Sequence, residues 1–484
     1  MVYTILDCYT DEPAGLGVPP YLGVYPRYIA GSIDKEIHYL TVDDLRFFKY
    51  YGMDEKKKEI NHKTNIKVYN LTKNIKNIKE ILEKTTVLIV ILGIHTPGKY
   101  LSALPGTLKE VIGLIKDLRC KKILTGPAIY GTQLYGGRFF EKVDLEIFEI
   151  KDFGFKYDEI KDFAVKGAYI IKQIPSLRII EIETSHGCQS GKCSFCTEPL
   201  KYKLEFREKE DILKEIKEFY RQGVRYFRLG KQSCFYSYPN VIELLRDIRK
   251  NFKEIKVLHI DNVNPINVLS KKGNEITRAI VKYCSSGNVA AFGIESFDDE
   301  VIKQNNLNCK PEQAFDAIKI LNRYGATIGD NGMPKFLPGI NILFGLKAES
   351  KETSERNLFW LKKILLSNLL LRRINIRKVS IFQGTGLYKE VGDKFLKKNK
   401  RYYWKWRNSI RQNIDFEMLK KLVPNGVVLR NVRAEIYDGN TTFCRQVGTY
   451  PLIVGVKQRL ELNKFYNVKV IDHMLRSVVG IIEQ

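Results

Sequence analysis

No stretch of this 484-residue chain stays apolar for the roughly 18 or more residues that a membrane-crossing helix needs; TTVLIVILGIHTPG is too short. The opening MVYTILDCYTDE carries Asp7, Asp11 and Glu12 where a signal peptide would place basic residues and then an apolar run. A cytoplasmic protein with no membrane partner is therefore expected. Cysteine is scarce, nine in the whole chain, which is too sparse for a disulfide scaffold. In a reducing compartment a tight cysteine group then points to metal. Acidic residues are also in deficit, 55 against 80 Lys and Arg, for a net charge of +25. Such an excess favours polyanions, nucleic acid first and acidic membrane surfaces second. The competing explanation is heat adaptation, which also enriches Lys and Glu. Internal repeats and low-complexity tracts are absent.

The length calls for two or three domains. Over residues 1–150 the runs YTILDC, HYLTV, IKVYNL, TVLIVILGI and KKILTGPAI read as strands, and GTLKEVIGLIKDL as an amphipathic helix. This is the pattern of an open, Rossmann-like α/β domain. PAGLGVPPYLG then suits either a ligand-binding loop at the carboxyl end of a strand or a turn entering a helix. A polar segment, 151–175, reads as a linker.

From 176 to 390 six strands, LRIIEIET, VRYFRLG, IKVLHID, NVAAFGIES, INILFGL and INIRKVSIF, mostly alternate with helical patterns. In EDILKEIKEFYRQG, Ile212, Leu213, Ile216, Phe219 and Tyr220 share a face and Gly223 sits at the C-terminal cap; PEQAFDAIKILNRYG repeats the device with Gly325. Six β/α units predict a partial (β/α)6 barrel with its active site in the loops after the strands. Residues 391–426 form a basic, aromatic connector, and 427–484 a small β-barrel of short strands.

HGCQSGKCSFCTEP, starting at His186, places Cys188, Cys193 and Cys196 just after the first barrel strand. Thiolates suit iron–sulfur clusters and zinc. Three thiolates on a four-iron cubane leave one iron open, which implies catalysis. Zinc would want a closed tetrahedron, with His186 as fourth ligand. His186 is two residues from Cys188, which makes that closure awkward, and no second C-x2-C pair exists.

The strand, the three cysteines, Phe195 before the third and the six β/α units together resemble the radical S-adenosylmethionine (radical SAM) superfamily over roughly Ser176 to Tyr388. The resemblance implies a 4Fe-4S cluster whose open iron chelates SAM, and cleavage of SAM to a 5′-deoxyadenosyl radical. The spacing here is C-x4-C-x2-C, one residue longer than the common C-x3-C-x2-C, with the extra residue in QSGK. LGKQ stands where many relatives carry Gly-Gly-Glu, so Gly230, Lys231 and Gln232 are expected at SAM. Glu295 and Ser296 in FGIESFDD match the fourth-strand region. ILFGLKAES resembles the Gly-Leu-Pro-Gly-Glu-Thr turn, with Gly345 allowing close approach to the cofactor, and FQGTGLY resembles the last-strand turn. Phe195 joins the SAM-placing set.

Radical SAM relatives with an N-terminal α/β domain bind either cobalamin or a second cluster held by three cysteines. The Asp-x-His-x-x-Gly cobalamin motif is missing, His95 lacks the Asp partner, and the domain holds only Cys8 and Cys120. Cobalamin held without a histidine stays open. The C-terminal part is similar to the TRAM domain of RNA-modifying enzymes, which implies phosphate and base contacts from Arg445, Gln446, Lys457 and Arg459. The connector supplies Arg401, Trp404, Lys405, Trp406 and Arg407 as a cationic, stacking surface. Two tryptophans one residue apart lie 200° apart on a helix, so at least one is expected to meet a partner. Cys234 and Cys309 follow barrel strands and read as buried thiols, or as groups that shuttle a methyl group or quench a radical.

The expected activity is a radical SAM transferase that modifies RNA, foremost tRNA, by methyl or methylthio insertion, fed by a low-potential electron donor. A cobalamin-dependent methylase of a protein or small molecule, and a non-enzymatic RNA-binding protein with a structural zinc, are the alternatives.

Overall fold

A computed structural model describes residues 1–12, 15–17, 19–52, 68–93, 103–130, 132–134, 139–141 and 143–483. The chain divides into two compact units, Met1–Glu183 with Arg207–Arg225, and Thr184–Phe206 with Tyr226–Gln484.

The first unit is built on five parallel strands: β1 (Tyr3–Asp7), β2 (Ile37–Thr41), β3 (Val87–Ile91), β4 (Lys121–Thr125) and β5 (Glu149–Ile150). Their spatial order is β5-β4-β3-β1-β2. Every residue of β3 is buried, as expected of a parallel strand covered on both faces. This is the open α/β sheet that the sequence predicts. One expected strand does not form: in IKVYNL, residues 66 and 67 lie outside the described residues, and Val68 to Leu71 belong to no ladder. Side chains satisfy the backbone there instead. Asp43 accepts from the Asn70 amide at 2.9 Å, Asp44 accepts from the Thr72 amide at 2.8 Å, and Thr41 donates to the Asn70 carbonyl at 2.9 Å. His95 lies outside the described residues, as do residues 13, 14 and 18 of PAGLGVPPYLG; Tyr21–Leu22 of that stretch pairs parallel with β6 (Ile179–Glu183).

Residues 151–175, expected as a linker, carry a packed helix. Besides α1 (Val24–Gly31), the unit contains α2 (Tyr157–Lys166), whose Tyr157, Ile160 and Ala164 recur at helical spacing and close on Val24 and Tyr28. The helix α3 (Lys209–Arg221) ends where Gly223 takes φ +88°. It buries Glu215 between two guanidinium groups, Arg27 and Arg207, the latter at 2.7 Å. Burial alone would raise the Glu215 carboxyl, but the two adjacent cations outweigh it and hold its pKa below the usual range. Glu215→Ala leaves two buried cations without their anion and should cost about 3–5 kcal/mol in denaturant unfolding. With its folded pKa depressed, Glu215 contributes stability above the unfolded carboxylate pKa. That contribution is lost as pH falls through the folded value, so the mutational difference should shrink in acid.

In the second unit, β7 (Tyr226–Gly230) pairs parallel with β8 (Val257–Ile260). The short continuation Asn262–Val263, β9 (Asn288–Glu295), β10 (Phe336–Phe344) and β11 (Arg373–Lys378) form a parallel sheet in that order. All six strands expected from 176 to 390 form, and the fold is a partial (β/α)6 barrel. The helix α4 (Pro311–Gly325) corrects one detail. Gly325 is its last residue rather than a cap beyond it, and a Cβ there would lie 1.9 Å from the Phe336 carbonyl oxygen, so it is glycine for close packing on β10.

The connector is mainly helix α5 (Lys394–Ile410). Beyond it, β12 (Val428–Asp438), β13 (Thr441–Gln446), β14 (Ile453–Val456), β15 (Phe465–His473) and β16 (Ser477–Ile482) close a five-stranded barrel. Its core continues onto Met333 and Leu337 of the parallel barrel and Leu419 and Leu422 of the connector, so this module is welded to its neighbour.

Candidate active site

The cysteine loop is held in place by its own backbone. Gly187 takes φ +75°, and a Cβ there would lie 2.4 Å from the Lys203 carbonyl oxygen, so only glycine fits. Ser185–His186 pairs antiparallel with Glu205–Phe206 and clamps the base of the loop. Ser194 is the main anchor. Its amide donates to the Asn305 carbonyl at 3.0 Å, its hydroxyl to Asn305 Oδ1 at 2.7 Å, and its carbonyl accepts from the Leu387 amide at 2.7 Å. FQGTGLY, which supplies Leu387, therefore grips the cysteine loop directly. Phe195 packs against a core of Val301, Leu346, Val379, Ile381 and Leu387, which makes it an anchor of the loop.

Cys188, Cys193 and Cys196 are free and half-buried. Burial pushes the Cys193 thiol up to about 12 and Cys196 to about 11; Cys193 is also raised by Cys196, Glu295 and Cys188, and Cys196 by Glu198, Cys188 and Glu295. Three soft donors thus share one electrostatic neighbourhood. Among the described residues no three His, Cys, Asp or Glu side chains are closed around a common point as metal ligands. His186 is not turned toward them: its Nε2 lies 3.1 Å from Glu205 and its ring stacks on Tyr202 at 4.7 Å. That leaves three thiols as the donor set, the number that fits a cubane with one open iron.

Around the loop lie the strand ends. The Gly230 carbonyl accepts from the Thr184 amide at 3.4 Å. Lys231 is buried at φ +56°, with Nζ 5.7 Å from the Tyr202 ring centroid. Gln232 is buried; its Nε2 donates to the Leu229 carbonyl at 3.1 Å, while its Oε1 has no partner, and Thr184 Oγ1 has none either. Two orphaned acceptors beside the cysteine loop fit a chelating small molecule rich in polar hydrogens. Glu295 takes φ +65°, a strained backbone for this residue, and burial pushes its carboxyl up to about 8 against the opposing charge of Arg377. Ser296 is buried and its hydroxyl accepts from the Asp298 amide at 3.2 Å. Gly345 has another explanation than a cofactor: at φ +100°, its Cβ would meet Leu396 of α5 at 2.8 Å, and its amide donates to Glu349.

The expected RNA-contacting residues separate. Along α5, Leu396, Asn399, Tyr403, Trp406 and Ile410 are buried, while Lys394, Lys398, Arg401 and Lys405 run along the opposite face. Trp404 is 57% exposed, with Arg407 at 5.3 Å and Lys378 at 5.8 Å from its ring. Trp406 faces inward and stacks on Phe344 at 6.0 Å, which corrects its placement among the RNA contacts. Arg445 is corrected too: it is buried and forked onto Glu435 at 3.0 and 2.8 Å, so its donors are spent inside the small barrel. Gln446 donates to the Asn331 and Arg430 carbonyls. Lys457 and Arg459 are exposed, and Arg459 stacks on Tyr437 at 4.1 Å.

Sequence reading missed one contact of consequence. The loop Gly448–Tyr450 of the small barrel enters the parallel barrel: the Thr449 amide donates to His259 Nδ1 at 2.9 Å and the Tyr450 hydroxyl to Asp261 at 2.9 Å. Burial, aided by Arg249 and Arg228, lowers His259 to about 4 against the Ser286 carbonyl, so the ring is neutral and Nδ1 accepts. A base with its folded pKa depressed contributes stability above the unfolded histidine pKa and loses it as pH falls through the folded value. The small barrel should therefore be held less firmly between about pH 6.5 and 4, by about 3 kcal/mol in all. Hydrogen exchange at Thr449 over that range checks this, and His259→Gln should flatten the dependence.

Three free thiols and two orphaned polar atoms lie after parallel strands, a donor set that suits an enzyme of the cluster-and-SAM class. The Radical SAM superfamily model matches residues 182–343. An uncharacterized protein of Methanocaldococcus jannaschii is 41% identical over 529 aligned positions, covering 98% of this chain and 92% of its own. The ribosomal protein uS12 methylthiotransferase RimO of Clostridium botulinum is 22% identical, covering 86% of this chain and 92% of its own. Among solved structures, the radical S-adenosylmethionine methyltransferase TsrM from Kitasatospora setae is 11% identical, covers 80% of this chain and 74% of its own, and has a TM-score of 0.49. Residues 182–343 carry a radical SAM domain, and the chain is an enzyme that uses a 4Fe-4S cluster, SAM and an electron donor. No helix among the described residues is long and apolar enough to cross a membrane.

Proposed function

We propose that this enzyme transfers a one-carbon or methylthio group to RNA, foremost tRNA, and that carbon transfer is the reaction the geometry favours. Cys188, Cys193 and Cys196 hold the cluster. When bound, the cluster and SAM supply a carbon-centred radical able to take hydrogen from an unactivated position. The chain's own residues position and protect. Lys231, Gln232, Glu295 and Ser296 line the SAM side, and the anchors at Ser194, Asn305 and Leu387 keep the loop from fraying.

One observation carries the RNA reading: α5 rests on the carboxyl end of β10 through Phe344, Gly345 and Glu349, and its outer face is a stripe of cations beside an exposed tryptophan. Such a surface suits phosphate and stacked bases. The uS12 methylthiotransferase is named for a protein substrate. The cationic rim here favours a polyanion instead.

Carbon transfer is favoured by the N-terminal cysteines. Cys8 lies one residue past the carboxyl end of β1 and Cys120 one residue before the amino end of β4, in a register that sets Tyr3 level with Lys121. Six residues of strand separate their levels, about 20 Å. They cannot share a second cluster, and the domain has no third cysteine. SAM itself, with or without cobalamin as carrier, is then the source of a transferred methyl group.

The test is anaerobic reconstitution with iron and sulfide, then reduction with SAM and total RNA from cells lacking this gene. The expected result is 5′-deoxyadenosine and a new methylated nucleoside. Labelling confined to protein, with RNA untouched, rejects the reading.

A further inference from the structure

The inner face of the parallel barrel carries a polar ladder that none of the SAM-facing residues accounts for. Along β10, Ile340, Ile342 and Phe344 are buried toward the helices, while Asn341 and Leu343 are half-exposed on the other face. Along β11, Ile374 and Ile376 are buried and Arg373, Asn375 and Arg377 alternate with them. Asn341 is level with Asn375, and Gly293 of β9 is level with Asn341. A Cβ on Gly293 would lie 3.0 Å from Glu295 Oε1, so the Glu295 carboxyl folds over it into the same row. Asn375 Nδ2 donates to Asn341 Oδ1 at 3.1 Å. Whichever way the two amides are oriented, that bond leaves one amide NH2 group and one amide oxygen with no hydrogen bond among the described residues.

Toward the amino ends of the strands the row meets a set of paired side chains. Arg373 stacks on the Tyr450 ring at 3.8 Å, and the Tyr450 hydroxyl bonds Asp261, itself paired with Arg228. Above it, Arg377 is two residues nearer the carboxyl end and makes no hydrogen bond among the described residues. The face thus carries an arginine–tyrosine stack toward the amino ends of the strands, the Asn341–Asn375 pair at mid-strand, and the Arg377 guanidinium, which also faces the Glu295 carboxyl, toward the carboxyl ends.

Resting on the RNA reading above, we propose that Asn341 and Asn375 read the edge of a single extruded nucleobase, with Arg377 on its backbone phosphate. An adjacent amide donor and acceptor match the paired acceptor and donor on a base edge, and a guanidinium matches phosphate. A base must leave its stack for chemistry on its ring. The row places that base beside Glu295, on the wall where SAM is expected, so the atom to be modified and the radical source would be neighbours.

The test compares wild type with Asn375→Ala, Asn341→Ala and Asn375→Asp, all reconstituted, using the same total RNA. Three quantities are read: RNA affinity, 5′-deoxyadenosine formed without RNA, and modified nucleoside formed. The expected result is a fall of about 10- to 100-fold in kcat/KM for nucleoside formation, a loss at least tenfold larger than any change in RNA-free SAM cleavage. Equal product from the variants overturns the proposal. A parallel fall in RNA-free SAM cleavage also overturns it, because the amides would then serve SAM. If wild type cleaves SAM yet modifies no RNA, the RNA reading itself has failed and this proposal falls with it; that outcome is seen before any variant is made.

Discussion

Cys193→Ala should leave a soluble, folded and colourless protein that forms no 5′-deoxyadenosine. The loop does not depend on the thiol for its shape: Ser194 bonds Asn305 and Leu387 on its own account, and Phe195 is inserted into an apolar cluster. Unfolding should therefore change by less than about 1 kcal/mol, as for a half-buried side chain with no partner of its own. Cluster binding is another matter. With two thiolates the cubane has two bare irons, and iron per chain should fall from about four to well below one after reconstitution. SAM cleavage should fall more than about a thousandfold, since enzymatic rate enhancements of a millionfold and more leave that much to lose. Cys284→Ser is the control. It sits after the helix Gly273–Tyr283, away from the motif, and should keep iron and activity. A Cys193→Ala protein that still binds four irons would remove the three-thiol site from the mechanism.

What the sequence reveals of this molecule follows the range of the forces involved. Strands are local and period-two or fully apolar, so RINIRK and NVAAFGIE are readable from their own residues. The cysteine spacing is local too. Facing is less so: Trp404 and Trp406 look alike in sequence, and only the phase of α5 against Phe344 decides that one is buried. The resemblance to the TRAM domain places Arg445 at phosphate. Its fate depends on Glu435, ten residues earlier on the facing strand, in a ladder whose register shifts between Ala434 and Ile436. The Asn341–Asn375 pair and the entry of Tyr450 into the parallel barrel join residues 34 and 189 positions from their partners. No pattern in the chain announces them, because each side chain is unremarkable until the register is known.

The triple variant Lys398→Glu, Arg401→Glu, Lys405→Glu should lose RNA while keeping its fold and its radical chemistry. The three positions, at intervals of three and four, form one stripe opposite the buried face of α5, and all are exposed. Substitution there leaves the packing of Leu396, Tyr403 and Trp406 untouched, so stability should move by no more than about 0.5 kcal/mol. Each phosphate contact releases counterions, and removing three should lower the slope of log affinity against log salt by about 2 to 3. Charge reversal adds repulsion, so affinity at low salt should fall by more than about a hundredfold, the effect fading as salt screens both proteins. Lys319→Glu with Arg323→Glu and Lys421→Glu, three cations that lie together away from α5, serves as the control for net charge alone. If RNA binding responds equally to both sets, the affinity is a general property of a +25 chain. If it responds to the α5 stripe alone, while RNA-free SAM cleavage is unchanged, the rim of the barrel is where RNA is held.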